Sequence, residues 1–332
     1  MSDQMHVLSM GVAFPEGRIS NQLIEELDIG TNEEWILSKI GIRERRTSLP
    51  ADYIKSSRNE RPQEAVAVAQ DTAESLGKEA ARRAIEGAGL SPKDIGMVIC
   101  NCCTPEASAP TEALRIAKGL GIEGEAYDVF TACPAFALHV DYLANFEAEE
   151  LPEYVLCIST AVLTQNVNYN DRSASAIWGD GAAAWIISPR RPGRLKVLGS
   201  FFTADPLRCD AVTVDTFGHF DQDGRAVRDF SVRQTVRLLR NIEQDFQIDW
   251  HRDVFIGHQA NRTMLAQITN NRKIPEENHW FNVTEIGNQA GAGAPATLCM
   301  NWDKIQKGQK IVVAVVGAGL SWGSIVFEGT GI

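Results

Sequence analysis

Ala126-Tyr127-Asp128-Val129-Phe130-Thr131-Ala132-Cys133-Pro134-Ala135-Phe136-Ala137 runs an apolar strand straight into a helix, with a cysteine in the joint. Pro134 suits a first helical turn, where its missing N–H would go unused anyway. A thiol there faces the unpaired amides and the positive end of the helix dipole, which favours the thiolate, the attacking form of sulfur. Buried structural thiols are the commonest kind, so the joint alone leaves Cys133 as nucleophile or core residue. It is more decisive about architecture. A strand that hands over to a helix this abruptly belongs to an α/β sheet.

The same alternation continues on both sides. Upstream lie a strand over 6–12, helices over 21–27 and 31–40, a long helix over 65–88, a strand over 95–100 and a helix over 109–120. The helix over 31–40 opens with Thr31 and carries Glu34 three residues later, a capping-box pattern. Downstream come strands over 154–159 and 182–188, and a basic, turn-like stretch around Pro189–Gly193. We place a boundary there, between halves 1–190 and 191–332. The second half repeats the style, with strands over 197–202, 254–257, 310–316 and 324–327 and helices over 227–245, 261–268 and 290–300. This pattern predicts helices covering largely buried sheets. No sharp internal repeat is visible.

Two further places have the chemistry of a site. Val254-Phe255-Ile256-Gly257-His258-Gln259-Ala260-Asn261 brings a histidine to the end of a strand, where open α/β sheets present their reactive groups. Glu285-Ile286-Gly287-Asn288-Gln289-Ala290-Gly291-Ala292-Gly293 is rich in small residues that let backbone and ligand approach closely. His6, His139, His219, His251 and His279 have less informative surroundings. Gly317-Ala318-Gly319-Leu320-Ser321-Trp322-Gly323 superficially matches a dinucleotide fingerprint, but too little chain follows it to build the βαβ unit that motif requires.

Bulk properties exclude several classes. The 32 basic and 43 acidic side chains leave a formal charge of −11, unsuited to collecting nucleic-acid phosphates. Local basic groups occur at Arg43, Arg45 and Arg46, and at Arg190, Arg191, Arg194 and Lys196. No apolar run approaches the roughly 20 residues of a membrane span, and no secretory signal is evident. Seven cysteines without a regular framework fit a reducing compartment, so a cytoplasmic location is expected. The cluster Cys100, Cys102 and Cys103 has no distal partner pair, and no metal is expected.

In order along the chain, these segments resemble the β-ketoacyl-acyl-carrier-protein synthase III group of the thiolase superfamily. Thr131-Ala132-Cys133 resembles the nucleophile segment, Gly257-His258-Gln259-Ala260-Asn261 the histidine motif, and Gly287-Asn288 with Pro295 the asparagine motif. Gly317 to Gly323 is similar to the family's glycine-rich ending, with Ala318, Leu320 and Ser321 as departures. Asn32 to Trp35 through Gly41-Ile42-Arg43-Glu44-Arg45 is similar to its N-terminal signature, and Trp178-Gly179-Asp180-Gly181 also fits. The resemblance implies a thiolase fold, five-layered αβαβα with two similar halves, assembled as a homodimer. It implies Cys133, His258 and Asn288 as catalytic residues, and the backbone N–H groups of Cys133 and Ala318 as oxyanion donors.

It further implies that an acyl thioester, commonly acyl-coenzyme A, loads Cys133, and that a malonyl thioester on coenzyme A or acyl carrier protein then loses carbon dioxide and attacks the acyl-enzyme. Coenzyme A enters as part of a substrate, and no permanently bound cofactor is implied. Trp35 and Arg172 would flank its adenine, with Lys39 where a second arginine is usual. Ala109 replaces a bulky aromatic in the acyl pocket. Pro134-Ala135 replaces a smaller pair, and Arg228 and Asp229 stand where an aromatic and a basic carrier-contact residue are common. These departures favour a specialised or secondary-metabolic role. Transfer to a non-malonyl hydroxyl, amine or thiol, and non-decarboxylative condensation, stay open.

Overall fold

The computed structural model describes residues 5–215 and 218–332. Nine strands form one hydrogen-bonded sheet system. They are β1 (His6–Ala13), β2 (Met97–Cys102), β3 (Glu125–Asp128), β4 (Val155–Ala161), β5 (Gly181–Ser188), β6 (Leu195–Ala204), β7 (Val254–Gly257), β8 (Lys310–Gly317) and β9 (Ser321–Gly329), in spatial order β7-β8-β9-β6-β1-β5-β4-β2-β3. Pairing repeats across the system. In the first half β2–β4 is parallel, while β4–β5 and β5–β1 are antiparallel. In the second, β7–β8 is parallel, while β8–β9 and β9–β6 are antiparallel. Among the described residues, the pairs His6↔Lys196 and Val7↔Leu195, extended by the Val197 N–H donating to Met5 O at 2.9 Å, join the two along β1 and β6. Two similar halves are thus written in the pairing scheme.

Alternation along the strands creates the layers. Cys157, Trp185 and Ile187 point into a central core shared with Val313, Val315 and Phe327, whereas Leu156, Ile158 and Ile186 point outward. Between the sheets lie α3 (Ala135–Ala144) and α6 (Gly293–Met300). Outside the first sheet lie α1 (Ala73–Gly87) and α2 (Glu112–Leu120); outside the second lie α4 (Gly224–Asp245) and α5 (Arg262–Arg272). The order is the five-layered αβαβα arrangement of a thiolase fold. Among the described residues no helix is long and apolar enough to cross a membrane.

Three local expectations are corrected. The span 65–88 is two helices, Pro62–Val68 and Ala73–Gly87, because Thr72 and Ser75 form a capping box that starts the second. The N-cap of Glu33–Lys39 is Asn32 rather than Thr31, its side chain accepting the Trp35 N–H at 2.8 Å. Arg45 is no surface charge but fully buried, in a short strand, Glu44–Arg46, that pairs with Arg18–Ser20.

Candidate active site

A cavity of about 370 Å³ opens where both halves present their strand ends, and Cys133, His258, Asn288, Ala318, Trp35 and Lys39 all line it. Cys133 arrives from β3 through Ala132, whose φ of +55° makes the sharp turn into α3. Asn101 on β2 supports that turn. Its side-chain oxygen accepts the Thr131 N–H at 3.1 Å, and its amide donates to Ser159 Oγ at 3.1 Å. Gly317 presses on the nucleophile from the opposite half. A Cβ there would lie 2.5 Å from Cys133 Cβ and 3.1 Å from Sγ, so only glycine fits.

The backbone N–H groups of Ala318 and of Cys133 itself face the sulfur, and both pull its pKa down. Burial outweighs them and pushes the thiol up to about 12. A resting thiolate, expected from the helix dipole alone, is therefore corrected to a neutral thiol. The loop after β8 holds Ala318 from its far side, where Ser321 Oγ donates to the Ala318 carbonyl at 2.6 Å. The left-handed backbone of this loop falls on Gly319, at φ +126°, so an alanine at 318 is unstrained and keeps its N–H.

His258 immediately follows β7 and is 6% exposed. Burial lowers its pKa to about 4, so the imidazole is neutral around pH 7. Gln259 anchors the turn: its amide donates to Gly257 O at 2.8 Å, and its oxygen accepts the Asn282 N–H at 3.0 Å. The histidine turn is thereby tied to the segment leading to Asn288.

Asn288 is fixed by backbone and side chain together. Its N–H donates to Ile177 O at 2.9 Å, and its carbonyl accepts the Gly179 N–H at 3.0 Å. The side-chain oxygen accepts the Ala290 N–H at 3.0 Å, which leaves the NH₂ as the group offered to the cavity. Beneath this turn sits Arg45. A Cβ on Gly287, whose φ is +83°, would lie 2.9 Å from Arg45 Cγ. The guanidinium donates through Nε to Ala176 O at 2.9 Å and through Nη1 to Asn21 Oδ1 at 2.5 Å. Burial alone lowers its pKa, to about 9. Sequence reasoning counted Arg45 as part of a basic patch. The signal available was its place in Gly41-Ile42-Arg43-Glu44-Arg45, within the stretch similar to the family's N-terminal signature.

Around the mouth, the Arg172 guanidinium lies 5.0 Å from the centroid of the Trp35 ring and donates to Gly30 O at 3.0 Å, outside the cavity lining itself. Ala109 is exposed and does not line the cavity of its own chain. Arg228 does line it, while its guanidinium donates to Asp229 at 3.1 Å.

Residues 127–206 match the family model for 3-oxoacyl-[acyl-carrier-protein] synthase III, and residues 249–328 match the model for its C-terminal part. The β-ketoacyl-[acyl-carrier-protein] synthase III of Sphingopyxis alaskensis is 28% identical over 335 residues, covering 96% of this chain and 97% of that protein. The crystal structure of the Aquifex aeolicus synthase III shares the fold with a TM-score of 0.86 at 24% identity, over 98% of this chain and 99% of that one. That of Pseudomonas aeruginosa gives 0.84 at 25% identity, over 99% of both. Family models in both halves and alignments of nearly full length agree with the shared cavity, and the chain is a homologue of the β-ketoacyl-acyl-carrier-protein synthase III-like condensing enzymes of the thiolase superfamily.

Proposed function

We propose that the enzyme takes an acyl group from a coenzyme A thioester onto Cys133 and condenses it with a malonyl thioester. In the first step sulfur attacks the thioester carbonyl, the oxyanion rests on the Cys133 and Ala318 N–H groups, and the coenzyme A thiol leaves with the proton that sulfur gives up. In the second, the malonyl C–C bond to the carboxylate breaks and carbon dioxide departs. The electron pair forms an enolate, which attacks the acyl carbonyl and returns the Cys133 sulfur as leaving group. The observation that carries this reading is the polarity of the second pair. A neutral imidazole and an amide whose oxygen is already committed to Ala290 suit an enolate oxygen, which needs donors and no fixed negative charge.

Trp35 and Arg172 would hold the adenine once it replaces their present contact, with Lys39 attracting the phosphates. The acceptor is malonyl-coenzyme A or a malonyl carrier protein. The free edge of β3, beside exposed Phe130 and Leu114, supports a homodimer paired at that edge. We assign the halves 1–190 and 191–332, and a specialised pathway on the departures at Ala109, Arg228 and Asp229. The test incubates the enzyme with a series of acyl-coenzyme A donors, maps the added mass by peptide, then adds a malonyl thioester and measures carbon dioxide. Acyl mass on Cys133 followed by carbon dioxide release supports the reading. Acyl mass on another cysteine, or product without carbon dioxide, overturns it.

A further inference from the structure

A second cavity, of about 400 Å³, lies on the outer face of the C-terminal sheet between α4 and strands β6 and β9. It shares no lining residue with the Cys133 cavity. Phe201, Leu238, Phe246, Trp322 and Val326 give it an apolar body, and Phe201 is 43% exposed. Trp322 is held from behind by Phe230, whose ring centroid is 5.5 Å away in an edge-on arrangement. Its counterpart in the N-terminal half is closed, because α1 lies tight on β1: a Cβ on Gly11 would be 2.2 Å from the Ala80 carbonyl oxygen.

The rim is polar and uncommitted. The side chains of Arg237, Gln234 and Asn241 have no hydrogen bond, ion pair or ring contact among the described residues. On the same helix Arg228 pairs with Asp229, and Glu243 is taken by Arg272 of α5; Arg225, Arg233 and Arg240 are unpaired like Arg237 among the described residues, but of these four only Arg237 lines the cavity. In a chain of charge −11, an exposed guanidinium left over an apolar cavity calls for an anion. Asp245 closes the other end, about 12 Å along the helix at 1.5 Å per residue, which directs a negative head group to Arg237 and the apolar part away from it. Arg233 and Arg240 flank Arg237 along the helix, but the lining itself contains one guanidinium, which matches a singly charged carboxylate.

We propose that this cavity is a second binding site that takes a fatty carboxylate, its chain on Phe201, Trp322 and Val326 and its head group on Arg237. Each methylene buried there adds about 0.8 kcal/mol, so affinity rises with chain length until the cavity is full.

The test is calorimetric titration of the intact enzyme with decanoate, decanol and decyltrimethylammonium. Decanoate is expected to saturate one site per chain, and the ammonium compound to bind far more weakly. Arg237→Gln, at an exposed position, should weaken decanoate at least tenfold while decanol is unchanged. Thr203→Trp, which fills the cavity, should abolish saturable binding of both, and acyl loading of Cys133 should be normal in both variants. Absence of saturable binding, equal affinity for the ammonium compound, or decanoate affinity unchanged in Arg237→Gln would each overturn the proposal. Saturable decanoate binding retained in Thr203→Trp would also overturn it and would place the ligand elsewhere, such as the Cys133 cavity.

Discussion

Four strands in each half follow one pairing scheme, yet the helices that cover them are made of opposite material. Helix α1 buries Gly77, Ala80, Ala81 and Ala84 and lies close on β1; α4 buries Phe230, Val236, Leu239 and Ile242 and stands off β6 and β9. The reactive groups divide along the same line. The first half supplies Cys133, and the second supplies His258, Asn288 and the Ala318 amide. Backbone pairing can thus hold a topology constant while side chains turn one copy into a closed support and the other into an open receptor.

The sharpest test of that division is Asn288→Asp. The first half should still load acyl groups nearly normally, while carbon dioxide release falls by about 10²–10³, as is typical for loss of one such donor. Equal loss in both half-reactions, measured by acyl mass and carbon dioxide in single turnover, would show that the halves do not divide the chemistry. Next in size, Gly11→Val should cost about 1–3 kcal/mol in urea unfolding, because the close approach of α1 leaves no room. Thr203→Val at the open cavity should stay within about 0.5 kcal/mol. Similar losses at both positions would mean that the two outer faces are packed alike after all.

Arg45→Met should slow condensation roughly tenfold, about 1.4 kcal/mol, with a smaller effect on loading. Arg45 holds Ala176 beside Ile177, whose carbonyl takes the Asn288 N–H. Arg45→Lys should not rescue the rate, since a lysine lacks the planar fork. Equal slowing of both steps would make Arg45 merely structural.

The last test is in acid. Burial lowers His258 and His139 to about 4, and burial followed by Arg262 lowers His279 to about 3. The unfolded chain takes up these protons near 6.5, so it binds more protons than the folded one in between. Their stabilisation is complete above about pH 6.5 and is lost as pH falls through the folded values. Two of the three lie in the second half. Hydrogen exchange at pH 5 should therefore open the strands around Phe255 before the helix around His139. The reverse order would break the comparison.

Sequence alone was enough for the α/β alternation, since strand-length apolar runs and glycine stops are local signals. Cys133 and His258, each at a strand-to-turn junction, and Asn288, in a small-residue turn leading to a helix, were only candidates on local signals, and the ordered resemblance to the family singled them out together. What stayed hidden depends on contacts far apart in sequence. Burial of Arg45 is set by Ala176 and Gly287, and the raised pKa of Cys133 by desolvation among residues of both halves, which no dipole at one helix end discloses. The duplication was invisible because α1 and α4 need different side chains on one scaffold.

The central helices have a consequence for the independence of the two halves. Helix α3, which begins just after Cys133, packs on β6 and β9, and α6 packs back on β1 and β5, so each half's inner helix rests largely on the other half's sheet. Neither half can therefore bury its inner helix without the strands of the other. Gly317, the residue that closes on the sulfur, lies 184 residues after Cys133, so the nucleophile's surroundings form only once the two halves have met.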